Sequence, residues 1–187
     1  MTQVVSSSPE IPIQMNESEF WGLIDRSRQE AGGGELQAAA LTKTLSGLPE
    51  SDIYEFECSF RTHMMRAYHF NVLATAKLLE GYVSDDTFIY FRAFLISMGR
   101  ETLDAAIENA DALANLQIDD GEWMLYVADN ALKQKFGEHT PKTLPRDRAP
   151  AHLNYDFTQE ALKGEDWAEQ DLEGKFPLLW ARYKALP

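Results

Sequence analysis

Residues 84–100, with the sequence SDDTFIYFRAFLISMGR, decide how this chain is interpreted. Ser84 followed by two aspartates is typical of a helix start, because a serine side chain caps the first turn and the helix dipole favours negative charge there. At roughly 100° per residue, Arg92 then falls close to Phe88 and Leu95 on the apolar face of the helix. A buried guanidinium needs polar partners, since burying it unpaired is costly. The stretch therefore predicts a helical domain with an arranged polar site inside it.

Carboxylates are the expected partners of Arg92. Glu55 and Glu57 in the preceding helix, and Asp85 and Asp86 in the same helix, are the candidates for this polar cluster. The cluster is either a structural clamp between two helices or an anchor for an anionic ligand. Asp85 and Asp86 also have a simpler role, because two acids in a first helical turn are stabilised by the dipole. The pattern assigns no catalytic residue.

Working outward, apolar residues recur at intervals of three and four, and no segment alternates with a period of two. Residues 70–79, FNVLATAKLL, are apolar on most sides, as in a fully buried helix. They are predicted to be the central helix and the most buried ten residues, and Asn16 and Ser51 are predicted to cap helices. The sequence predicts an all-α fold, an irregular multi-helix bundle around this buried central helix. A C-terminal helix should dock on the domain formed by residues 15–137 through a buried stripe formed by Phe176, Leu179, Trp180 and Tyr183.

Composition divides the chain into three segments. Residues 1–14, rich in serine and proline, are predicted to be a flexible tail, and residues 15–137 a helical domain. Residues 138–187 are predicted to be a linker and a C-terminal helical extension. The linker is placed at residues 138–151, EHTPKTLPRDRAPA, because three prolines and alternating charges favour a loop.

The charge of the chain limits its partners. The 187 residues carry a formal net charge of -13, which argues against direct nucleic-acid binding, because phosphate binding needs a basic surface. An acidic surface suits a basic protein partner. No run of about 18 apolar residues predicts a membrane span, and the first residues do not resemble a signal peptide, so the expected location is cytoplasmic. The pattern does not predict the oligomeric state.

Motifs for common chemistries are absent from the sequence. It contains no phosphate-binding glycine loop and no nucleophile elbow, and its four histidines lack metal-ligand spacing, so neither a metal nor a cofactor is predicted. Cys58, the single cysteine, lies between Phe56 and Phe60 and is predicted to be a small buried hydrophobe. Trp21 with Asp25 and Arg28 forms another possible surface, in which the two charged residues have the spacing of a helical ion pair.

Several segments resemble a bacterial family known as domain of unknown function 4240. They are MNESEFWGLIDRSRQEA at 15–31, the acidic and aromatic segment near 54–60, AYHFNVLATAKLLEGY at 67–82 and SDDTFIYFRAFLISMGRETLDAAIENADALA at 84–114. The resemblance spans roughly residues 15–137, with departures at Tyr82 and Phe94, where family members usually carry glycine or tryptophan. It implies a bacterial, cytosolic, mainly helical domain and supplies no catalytic residues.

Three functions are compatible with these observations. The first is a non-catalytic interaction protein, such as a regulator, an accessory subunit or a neutraliser of a basic toxin, because acidic surfaces speed association with basic partners. The second is a small-ligand-binding protein or an enzyme with a polar pocket around Arg92. The third is a purely structural role. The surroundings of Arg92 discriminate between the first two, since a ligand anchor must open to a cleft.

Overall fold

The structure is a computed structural model that describes residues 14–153 and 161–186. Helices cover more than half of the chain, and the described residues contain no β-strand, only an isolated bridge between His69 and Lys163. The all-α prediction is therefore confirmed, whereas the predicted tail, apart from Gln14, lies outside the described residues. The helices are α1 (Glu17–Ala31), α2 (Gly34–Ser46), α3 (Glu50–Arg66), α4 (Phe70–Glu80), α5 (Asp85–Ser97), α6 (Arg100–Glu108), α7 (Val127–Phe136), α8 (Pro145–Leu153), α9 (Leu172–Lys175) and α10 (Pro177–Lys184).

Side-chain caps begin two of the predicted helices. Asn16 Oδ1 accepts a hydrogen bond from the backbone N–H of Ser18, as the sequence predicts for α1. At α5, Ser84 and Thr87 form a reciprocal capping box, in which each side chain accepts a hydrogen bond from the backbone N–H of the other. The predicted cap at Ser51 is wrong, because α3 already begins at Glu50 and Pro49 occupies the cap position.

The most buried helix is α5 rather than α4. Eight of residues 88–97 are buried, against six of residues 70–79, so the prediction that 70–79 would be the most buried ten residues is wrong. The reason lies in the packing, since α5 contacts α1, α3, α4 and α6 as well as the 3-10 turn Glu122–Tyr126. A polar residue such as Arg92 on this helix is therefore enclosed from several directions.

Much of the predicted linker is ordered helix. Residues 138–151 include part of a short 3-10 turn, Gly137–His139, and most of α8, which contradicts the prediction of a loop. Pro150 lies inside α8 and has no N–H to donate to the carbonyl of Arg146, four residues earlier. Arg61 of α3 donates to that carbonyl instead, with 3.0 Å between its Nη2 and the oxygen. A distant side chain thus satisfies the acceptor that proline leaves open.

The C-terminal helix docks on the core as predicted. α10 packs on α4, and both Phe176 and Leu179 are buried there. Trp180 and Tyr183 are only half-buried, although they contact the same core, so the predicted buried stripe is confined to its first two members. None of the described helices is both long and apolar enough to cross a membrane.

Candidate functional site

Arg92 is buried in α5, with 1% of its surface exposed, as the sequence predicts. Its Nε donates to the carbonyl of Phe88, 3.2 Å away, and its Nη1 donates to the carbonyl of Met64, 3.0 Å away. The guanidinium carbon lies 4.9 Å from the centre of the Tyr68 ring and 4.8 Å from that of Phe88. These distances are typical of cation–π contacts, so carbonyl oxygens and aromatic rings stabilise the charge from several sides.

The four carboxylates predicted as partners of Arg92 lie elsewhere. Asp85 and Asp86 are exposed in the first turn of α5, Glu55 is half-buried on α3, and Glu57 is buried on α3, where it pairs with Arg61. Among the described residues, no hydrogen bond or ion pair joins any of the four to Arg92. The sequence identified the buried arginine, but the partners that the structure describes for it are backbone carbonyls.

Glu57 and Arg61 form a buried ion pair within α3, and the bond from Arg61 to the carbonyl of Arg146 ties this helix to α8. The Glu57 Oε1 and Arg61 Nε atoms are 2.7 Å apart, and both side chains are almost fully enclosed. Burial raises the pKa of Glu57, and the charge of Arg61 opposes that rise. Asp129 of α7 accepts from the backbone N–H of Arg146 at 2.9 Å, which fixes the first turn of α8 from the other side. The four-residue spacing of Glu57 and Arg61 is the sequence signal that could have revealed this pair.

A cleft of about 800 Å³ lies between α1 and the start of α6. Trp21, Asp25 and Arg28, the surface noted in the sequence, all line it. Two of its polar side chains bond to the protein itself: Trp21 donates to Glu17, and Arg28 donates to the carbonyl of Met98 at 2.7 Å. The volume suits a small ligand, but the bonded side chains hold α1 against the junction of α5 and α6.

His63 is buried behind this cleft without a well-formed hydrogen bond. Its ring centre lies 4.6 Å from that of Trp21 and 5.0 Å from that of Phe20. Its Nε2 is 3.2 Å from an oxygen of Glu17, yet neither ring nitrogen makes a hydrogen bond among the described residues. Burial lowers the pKa of His63, and the nearby carboxylate of Glu17 only partly offsets that effect. Burial therefore favours the neutral form of the imidazole in the folded protein.

The lowered pKa predicts that His63 makes the fold sensitive to acid. In the unfolded chain histidine titrates near pH 6.5. The folded state binds the proton less readily, so the unfolded state holds more protons as the pH falls through that value, and stability decreases. We expect the free energy of unfolding to fall between pH 7 and pH 5 by more in the native protein than in His63→Phe, which keeps an aromatic ring but does not titrate.

Urea unfolding at a series of pH values measures this difference. Carboxyl groups titrate in the same range, so the comparison between variants matters more than either curve alone. His139 is exposed, and His139→Gln should keep the acid sensitivity of the native protein. Parallel curves for the native protein and His63→Phe would rule out the buried imidazole as its source.

A second, acidic cleft lies between α4, α5 and the loop before the turn Glu122–Tyr126. It encloses about 370 Å³, and Tyr90, Phe91 and Ile118 form its apolar part. Gly121 allows the loop to reach α5, since a Cβ there would clash with backbone atoms of Tyr90 and Phe94. The remaining lining residues of this acidic cleft are Glu80, Thr87, Asp119 and Asp120.

Negative charge around the acidic cleft has no cationic partner among the described residues. Partial burial raises the pKa of the Tyr90 hydroxyl, and the negative charges of Glu122 and Asp86 raise it further. Both acids therefore lie close enough to Tyr90 to act on it electrostatically. The acids that do form contacts here bond to neutral groups: Asp119 accepts from the backbone N–H of Asp120, and Asp120 accepts from that of Glu122. The cleft therefore combines an aromatic floor with unneutralised carboxylates.

The described residues offer little for metal or thiol chemistry. They contain no group of three or more histidine, cysteine or acidic side chains arranged to hold a metal ion. Cys58 is buried as predicted, and burial raises the pKa of its thiol to about 11. A thiol with that pKa carries almost no thiolate at neutral pH, which argues against a nucleophilic role.

Sequence reasoning missed the acidic cleft because its parts are distant along the chain. Asp119, Asp120 and Gly121 have the composition of a turn, and Asp86 was considered only as a helix-start acid or as a partner of Arg92. Nothing in the local pattern indicates that this turn packs beside Tyr90.

Comparison with known proteins identifies a family for this chain but no individual similar protein. No curated protein and no solved structure is detectably similar to the chain. Residues 15–134 match the family described as "Protein of unknown function (DUF4240)", and this range includes α1 to α6 and both clefts. The match covers more than half of the chain, and the chain therefore belongs to the DUF4240 family.

Proposed function

We propose that this protein is a non-catalytic interaction module that binds a basic protein partner. The observation that carries the proposal is the acidic cleft, whose carboxylates have no cationic partner among the described residues. The net charge of -13 supports it, because a strongly acidic protein attracts basic partners over long distances. The protein's role is then regulatory or accessory, exerted through the partner.

The alternative of a ligand pocket or active site around Arg92 has weaker support. Two hydrogen bonds to the carbonyls of Met64 and Phe88, with two aromatic rings against the guanidinium, favour a structural role for this side chain. An anchor for an anion needs donors directed at the ligand. The two described donors are directed at backbone oxygens of α3 and α5.

Covalent cross-linking in native host cells, followed by mass spectrometry, tests the proposal. We expect a reproducible partner with a net positive charge, and an association rate that falls on the order of tenfold or more between low and high salt. Steering between opposite charges is screened within about 10 Å at 0.1 M salt, so the salt dependence reports directly on the proposed attraction. Recovery of a neutral or acidic partner only, with a rate independent of salt, would contradict the proposal.

A further inference from the structure

We infer that the acidic cleft receives an arginine side chain of the basic partner. This inference rests on the proposed function and adds the site and the chemical group that it recognises. The cleft lies between two helices and a loop, and at about 370 Å³ it is near the lower end of ligand pockets. That size suits one long side chain better than a folded segment.

The lining of the cleft matches the two parts of an arginine side chain. Tyr90, Phe91 and Ile118 offer an apolar floor for the aliphatic stem. The planar guanidinium can stack on an aromatic ring and donate two parallel hydrogen bonds to a carboxylate, which a lysine ammonium does not do. Glu80 and Asp120, both exposed and without cationic partners among the described residues, supply the acceptors.

The surroundings of the cleft also favour a protein partner over a free cation. The described acids are not arranged in a group that could hold a metal ion. Tyr82, two residues after Glu80, exposes 73% of its surface. Exposed tyrosines and a central arginine pocket are common where protein interfaces concentrate their binding energy. The occupant is therefore a side chain presented by a protein surface.

Binding of short basic peptides tests the inference. The probes are a 12-residue glycine–serine peptide with four arginines, the same peptide with four lysines, and the same peptide with four citrullines, which keep the shape without the charge. Fluorescence anisotropy measures each dissociation constant in dilute salt. We expect the arginine peptide to bind most tightly, the lysine peptide several-fold more weakly, and the citrulline peptide not measurably.

Paired variants locate the binding site. Glu80→Gln with Asp120→Asn removes two charges from the cleft, and Glu138→Gln with Glu173→Gln removes two exposed charges that have no ion pair among the described residues. The cleft pair should weaken arginine-peptide binding about tenfold more than the control pair, and Tyr90→Leu should reduce the preference for arginine over lysine. Melting temperatures verify that each variant is folded.

Each contrary result overturns the inference in a distinguishable way. If both pairs weakened binding equally, binding would depend on overall charge. The cleft would then not be the binding site, but the proposal of a basic partner would still hold. The arginine peptide could fail to bind while Mg²⁺ or Ca²⁺ binds to the native protein and not to the cleft pair. The occupant of the cleft would then be a metal cation and not an arginine side chain. Failure of every peptide to bind, together with a cross-linked partner that is not basic, would remove both proposals.

Discussion

Replacing Arg92 with alanine is expected to lower the free energy of unfolding by about 3–5 kcal/mol, because the change leaves a buried carbonyl oxygen without its donor and creates a cavity at an enclosed site. The carbonyl of Met64 would lose its guanidinium donor inside the core, which alone costs about 1–3 kcal/mol. The rings of Tyr68 and Phe88 would also lose the group that they contact, and a cavity would remain between α3 and α5. Urea unfolding measures the change.

Two further substitutions separate geometry from charge. Arg92→Lys keeps the charge but loses the planar fork, so it cannot donate to both carbonyls in the same way, and we expect an intermediate loss of about 1–3 kcal/mol. Arg26→Ala removes an exposed arginine from α1 and should change stability by no more than about 0.5 kcal/mol. If Arg92→Ala proved as stable as Arg26→Ala, the guanidinium would not be a clamp, and an anchoring role toward a ligand would become the better explanation.

The sequence predicted best those helices whose ends are determined by residues close together in the chain. The reciprocal bonds of Ser84 and Thr87 involve residues three apart, so the sequence contains both partners of the α5 cap. The burial of Arg92 also follows from local spacing, since its helical neighbours Phe88 and Leu95 are apolar. Local information was enough because the residues that decide these features lie within two turns of one another.

The errors arise where a distant residue supplies the missing partner. Three prolines argue for a loop at 138–151, yet α8 forms there, and Arg61 bonds to the carbonyl that Pro150 leaves without a donor. The partners of Arg92 could not be predicted either. Every residue has a backbone carbonyl, so the sequence does not indicate that the carbonyl of Met64 is the acceptor. Small residues such as Ala74 made α4 appear more central than α5, although burial depends on how many elements surround a helix. The acidic cleft could be recognised only in the folded structure, because Glu80 and Asp120, which both line it, are forty residues apart in the sequence.

Removing residues 138–187 is expected to destabilise the family domain strongly, although the family match ends at residue 134. The deletion takes away the fully buried side chains of Leu172 and Leu179, and also Phe176. Each such side chain contributes about 1.5–3 kcal/mol by leaving water, so the loss should reach about 5 kcal/mol or more. The truncated chain should melt at a clearly lower temperature, expose apolar surface of α4, and precipitate more readily.

A matched pair of point variants tests the same docking in the full chain. Leu179 is fully buried, whereas Leu178 beside it is 60% exposed. Leu179→Ala should lower the free energy of unfolding by about 2–5 kcal/mol, since it removes transfer energy and leaves a cavity against α4. Leu178→Ala loses the same atoms from a mostly hydrated site and should cost well under 1 kcal/mol. Equal melting temperatures for the two variants would mean that α10 does not remain docked, and the stability of the family domain would then lie within residues 14–137 alone.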